Sequence, residues 1–409
     1  MLAPGMNAID QAGADAPVAT RAGERRRALS VAWRAFAASR LAVLAVAVLA
    51  AASLEAAGNR ERFDAPGLTH PFEGLGEALL SPLAHWDAVW YLSIAFNGYG
   101  ATGVDAAFFP LYPLLVRVVG AGGGPGELLV AAYVVSLAAF LGALYLLHRL
   151  VALELGAEHA RATLLLLAFF PAALFFGAPY SESLFLLLSV GAFYGARTGR
   201  WAWAGALAGA ASATRSAGIL LLVPLALLWW RSPRRRADLA WLALAPAGLA
   251  AYSAYLGLAH GDPFAYLELQ RAWERSFDGP LAGTWQGIEA AWAALGDLGD
   301  GGVAGELARR NLVDFCFLAF ALVAAVGVWR RLPAAYGAYV TACLLLPLSF
   351  PVEGEPLMSL GRFVSVLFPL FMWLAVVCER RGVTAHAVVA SAMLLGLLTT
   401  WFATWQWVA

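Results

Sequence analysis

A few polar residues stand inside or beside long apolar stretches, and their types suit group transfer. Asp87, in His85-Trp86-Asp87, offers a carboxylate that could accept the proton of an attacking hydroxyl. Arg215, in Ala213-Thr214-Arg215-Ser216, lies within an apolar run, where insertion scales place the cost of an arginine at about 2.5–3.5 kcal/mol. Its planar fork suits a phosphate. Arg362 opens a further apolar run and has Glu182, Glu353 and Glu355 as possible partners. His85 is a candidate donor beside the phosphate. Each also has a plain structural reading. Asp87 suits the first turn of an interfacial helix, Arg215 can reach up to lipid headgroups, and Ser181-Glu182-Ser183 is a simple helix start. His260-Gly261-Asp262-Pro263 reads as a turn. No His, Cys or carboxylate grouping has metal-ligand spacing, and the Gly120 to Gly126 run reads as a hinge or turn, not a nucleotide loop.

Positioning these residues falls to elements unlike those of a soluble protein. The 409 residues are 61% hydrophobic and only 13% charged, with 41 Gly and 16 Trp. Soluble domains carry about 25% charged residues. The composition is that of an all-α polytopic membrane protein, and it disfavours a cytosolic enzyme or a nucleic-acid binder. All 27 basic residues are arginine, balanced by 27 acidic ones. Arginine without lysine, amid abundant Ala and Gly, suggests a GC-rich bacterial genome.

A spanning helix needs about 20 apolar residues. Candidates are 33–56, 127–148, 162–179, 181–196, 237–258, 311–329, 334–350, 360–378 and 384–402. Residues 1–28 read as a disordered cytoplasmic tail and 29–409 as a single transmembrane domain. Arginine clusters at 21–27, 149 and 161, 197 and 200, 231–236, 330–331 and 380–381 all fall on one side if the segments alternate, as the positive-inside rule asks. Arg309 and Arg310 fall on the other side. The stretch 201–230 has cytoplasmic arginines at both ends, so it is expected to turn near Arg215 and cross as two short halves. The count is then about eleven crossings.

Two long outer loops result. In the first, 57–126, residues 81–99 read as an interfacial helix with Trp86, Trp90 and Ile94 on one stripe. Phe108 to Pro113 reads as a re-entrant or membrane-lying hairpin. The second, 259–310, holds Trp273, Trp285 and Trp292 and reads as an amphipathic cap on the membrane. The candidate residues converge on the outer face.

Four stretches in order resemble the GPI mannosyltransferase 2 (PIG-V) family of membrane glycosyltransferases. They are His85-Trp86-Asp87-Ala88-Val89-Trp90-Tyr91 with Gly98-Tyr99, Ala107 to Pro113, Pro179 to Phe185, and Ala213 to Gly218. Ser359-Leu360-Gly361-Arg362-Phe363 is a weaker fifth. The resemblance implies a GT-C fold, a polyprenyl-phosphate sugar donor and a catalytic Asp in the first outer loop, a position Asp87 matches. Asp105 is the acidic residue between the Gly-Tyr pair and the Phe-Phe-Pro motif, though its spacing departs from the family pattern. Trp86, Tyr91, Tyr112, Tyr180, Glu182 and Ser183 are expected to line the substrate cavity. Arg215, Arg362 and His85 are expected to hold the donor phosphate.

The expected reaction is inverting transfer of a hexose, mannose by resemblance, to a hydroxyl on a glycan, lipid or protein at the outer face of a bacterial plasma membrane. No cofactor is expected beyond the lipid-linked substrate, although a divalent metal is compatible with the class. Nucleic acid is not an expected partner, and a membrane partner subunit is not legible. Two other readings stand beside this one: a polyprenol-sugar or lipid flippase, and a non-catalytic membrane scaffold.

Overall fold

A computed structural model describes residues 18–100, 104–232, 236–269, 274–299 and 302–408. It is 77% helical, with no strand among the described residues. Among the described residues four helices are long and apolar enough to cross a membrane: Ala22–Ser53, Pro125–Glu154, Gly302–Arg331 and Thr384–Ala403. Shorter apolar helices include Ser216–Arg231 and Ala334–Leu348. The crossing count of about eleven rests on the charge pattern alone.

The first helix begins at Val18. Residues 18–28 therefore extend it, in place of the disordered tail expected there, because Ala, Arg and Glu are strong helix formers. Residues 1–17 lie outside the described residues.

Three segments expected as single helices are interrupted. Helix Glu158–Ala168 gives way to the tight turn Pro171–Phe176. Arg236–Leu242 is separated from Ala247–His260, with Pro246 at the junction. Leu360–Ser365 is separated from Phe368–Arg380, with Pro369 in the first turn. A hydropathy window does not register that proline lacks an N–H and collides with the carbonyl four residues earlier. Each break frees carbonyls, which at apolar depth need donors from the protein. Buried Arg40, from the first helix, supplies two. It donates to Ala173 O at 2.8 Å and Ala168 O at 3.3 Å, on either side of the Pro171 break, with Phe140 4.9 Å from its guanidinium carbon.

The stretch 201–230 breaks where expected. Helix Trp201–Ser212 ends, Arg215 is extended, and Ser216–Leu221 leads into Leu222–Arg231. The turn Ser216–Leu221 packs so closely on the end of helix Trp201–Ser212 that a Cβ on Gly218 would fall into the backbone of Ala211 and Ser212. The obstacle is main chain, so it cannot rotate away. Gly218→Ala is expected to cost about 1–3 kcal/mol, the range for overpacking. A lowered unfolding temperature in detergent would show it, whereas an unchanged one would mean this turn is loosely packed.

Where an interfacial helix is expected over 81–99, the helix observed is the shorter Asp87–Asn97. Trp86 precedes it with φ 57°, so it leaves the Trp90–Ile94 stripe and packs against Phe63 and Trp407 instead. Phe108 to Pro113 leads into the short helix Leu111–Val119. In the second loop, helix Ala282–Asp297 buries Gly283, Gly287, Ala291 and Ala294. Its opposite face exposes Trp285, Ile288, Trp292 and Leu295 at helical spacing, so the helix is amphipathic. Trp273 lies outside the described residues. Helix Gly302–Arg331 starts ahead of the expected 311 and takes in Arg309 and Arg310.

Candidate active site

The elements that break or start abruptly meet at one cavity of about 450 Å³. Asp87 opens the helix Asp87–Asn97, where a carboxylate favours the exposed N–H groups of the first turn. Its own N–H donates to the Tyr180 hydroxyl at 3.2 Å, and that hydroxyl donates to His85 O at 3.0 Å. Tyr180 thus fastens the start of this helix to the segment before Glu182.

Glu182 opens helix Glu182–Arg197. The simple capping expected of Ser181 is absent: it makes no side-chain cap bond, and its hydroxyl pairs with that of Tyr91 at 2.9 Å. Arg215 stands at the break in 201–230, and Arg362 lies in Leu360–Ser365, entered through Ser359 at φ 70°.

These four charged groups form one chain. Arg362 Nη1 pairs with Asp87 Oδ2. Arg362 Nε lies 3.2 Å from Glu182 Oε1, a charge contact without hydrogen-bond alignment. Arg215 Nη1 donates to the same Glu182 oxygen at 2.5 Å. The Asp87 side chain keeps 13% of its surface exposed and that of Glu182 only 1%. Asp87 is therefore reachable by a substrate and Glu182 is not. No bond among the described residues engages Asp87 Oδ1.

Asp87, Tyr91, Arg215 and Arg362 line the cavity, bringing together residues far apart in sequence. Five residues expected to line it stand behind its wall instead. Trp86 packs among aromatic rings. Tyr112 bonds Ser136 Oγ at 2.8 Å, Ser183 donates to Phe176 O at 2.8 Å, and Tyr180 and Glu182 hold the wall as described. Their motif spacing marks proximity to the site, but burial turns their polar atoms inward.

His85 is also displaced from its expected role. Its Nδ1 lies 3.0 Å from Phe402 O, and its ring stacks on Trp405 at 3.9 Å between centroids. Burial pulls its pKa down to about 4, so it is neutral near pH 7 and carries no charge for a phosphate. The folded state disfavours the protonated ring. Its contribution to stability is therefore present above the ordinary pKa of about 6.5 and is lost as pH falls from there towards 4. His85→Phe is expected to reduce the acid sensitivity of unfolding in that window, by up to about 3 kcal/mol. Parallel melting curves from pH 7 to 4 for the two proteins would contradict the assignment.

Asp262 accepts the Phe264 N–H at 2.8 Å, consistent with a turn, and Asp105 accepts the Gly100 N–H at 2.6 Å. Glu355 pairs with Arg310 at 2.8 Å rather than with Arg362. Among the described residues no group of three or more His, Cys, Asp or Glu side chains is placed to hold a metal ion.

The cavity also contains residues that sequence reasoning passed over, chiefly Arg275, Tyr266 and Trp407. Arg275 sits in the second loop, where nothing in the local pattern distinguishes it. An isolated bridge to Val352 brings it to the site.

The fold and site define a helical membrane protein with a charged, partly apolar cavity built where its helices break. The mannosyltransferase (PIG-V) family model matches residues 32–227, which include Asp87, Glu182 and Arg215. GPI mannosyltransferase 2 of Drosophila pseudoobscura pseudoobscura is 32% identical over 139 residues. That match spans 31% of this chain and 30% of the relative. The chain is thus PIG-V-like over 32–227, in agreement with its motifs. Arg275 and Arg362 lie beyond the matched segment.

Proposed function

We propose that the chain is a membrane mannosyltransferase of GT-C type, transferring the sugar of a polyprenyl-phosphate donor to an acceptor hydroxyl with inversion. The observation that carries the reading is the reachable Asp87 carboxylate, set against guanidinium groups in one cavity. Asp87 Oδ1 takes the proton of the acceptor hydroxyl. The acceptor oxygen bonds to the anomeric carbon as the carbon–oxygen bond to phosphate breaks, and the lipid phosphate leaves with the electron pair. Guanidinium groups aimed at that oxygen stabilise the developing charge. Arg362, tied to Asp87 by one oxygen, orients the base. The charge pattern supports an active site on the outer face of the membrane.

The test is a transfer assay. Membranes containing the protein receive labelled polyprenyl-phosphate mannose and a panel of glycan, lipid and peptide acceptors. Label in a new product, with one lipid phosphate released per sugar, supports the reading. Labelled lipid that crosses the bilayer of reconstituted vesicles without forming a product would instead identify a flippase.

A further inference from the structure

Three guanidinium groups face the cavity, but only two have carboxylate partners. Arg362 is held by Asp87 and Glu182, and Arg215 by Glu182. The bonds of Arg275 are to main-chain carbonyls, Met358 O at 3.0 Å and Phe350 O at 3.4 Å. No described carboxylate lies within ion-pair distance of it, including Glu274, Asp278 and Glu353, with which it lines a neighbouring polar cleft. All three guanidinium carbons lie 5.3–5.7 Å from the centre of the Phe363 ring. They therefore surround one small region. A further buried carboxylate, Asp314, takes the Gly361 N–H and acts on Arg275 only from beyond ion-pair distance.

A partly buried guanidinium without a carboxylate at ion-pair distance is costly. Burial lowers the Arg275 pKa to about 10, which still leaves it charged at neutral pH. Satisfying two carbonyls needs donors but no charge, and the guanidinium, without a carboxylate at ion-pair distance, lines the cavity where an anionic ligand can reach it.

We propose that Arg275 is the principal contact for the single phosphate of the lipid-linked donor, and that Arg215 and Arg362 mainly hold Glu182 and Asp87 in place. This rests on the donor class proposed above and reassigns the residue that binds it. The second loop thereby gains a role in binding. Arg275 itself forms the bridge to Val352, which holds it at the cavity.

The experiment measures binding without turnover. Purified protein in detergent is titrated with decaprenyl phosphate, which carries the phosphate but no sugar, and with decaprenol as the uncharged control. Wild type is expected to bind the phosphate and to discriminate against the alcohol. Arg275→Gln keeps a donor for the carbonyls and removes the charge. It is expected to weaken phosphate binding at least tenfold, about 1.4 kcal/mol, with decaprenol binding unchanged. Arg275→Lys is expected to fall between the two, because it restores charge without the fork. Unliganded melting curves guard against misfolding: a binding role leaves them close to wild type while removing the stabilisation by decaprenyl phosphate. Wild-type affinity in Arg275→Gln would overturn the inference and leave the proposed function standing. Failure of wild type to prefer the phosphate over the alcohol would overturn both.

Discussion

Asp87→Asn is expected to lower sugar transfer by about 10²–10⁴-fold, the usual contribution of a positioned general base. The substitution keeps the shape and the Arg362 contact but removes the proton acceptor. Folding should survive, because Arg362 retains Glu182 as a counter-charge and the backbone N–H at position 87 still reaches Tyr180. Initial rates in membranes holding equal amounts of the two proteins would measure the loss. Binding of the donor lipid should change little, since Asp87 serves the acceptor side. A variant with near-normal rates would remove the base from the mechanism, and would favour the scaffold reading if wild-type membranes also lacked transfer.

Glu182→Gln is expected to have the second largest effect, on stability. Its side chain is 1% exposed and one of its oxygens meets both Arg215 and Arg362. Removing one member of a buried ion pair costs about 3–5 kcal/mol, because a partner charge, here Arg215, is left without its carboxylate. Gln has nearly the same volume, so the loss would report charge, not packing. Thermal or denaturant unfolding in detergent would reveal it. A loss below about 1 kcal/mol, the value of an ordinary hydrogen bond, would show that the arginines are solvated in the folded protein. Transfer should fall as well, since Arg362 would then be held by Asp87 alone.

Effects at these two positions separate in kind because burial separates them. Asp87 faces the cavity and Glu182 stands behind it, although both are carboxylates opening helices. The sequence motifs treat them alike. Position 87 and position 182 each follow aromatic and turn-forming residues, and neither local pattern records which side chain meets solvent.

What the sequence determined by itself is the environment and the cast. Its composition excludes a soluble fold, because too few charged residues remain to cover a polar surface. Long apolar runs define most helices, since period and length are local properties of the chain. The break at Arg215 is also legible, because charge on both flanks of one apolar stretch conflicts with a single crossing. The tertiary structure decided the rest. It interrupts three apolar runs at prolines, with Arg40 serving the carbonyls freed at one of them. It turns His85 and Tyr112 into the wall through bonds to Phe402 and Ser136. It draws Arg275 out of an undistinguished loop into the lining of the cavity that Asp87 also lines. These outcomes depend on contacts between residues far apart in sequence. No local spacing encodes them, because the energy of an ion pair or a buried hydrogen bond is set by which groups the whole fold brings together and how much water it excludes around them.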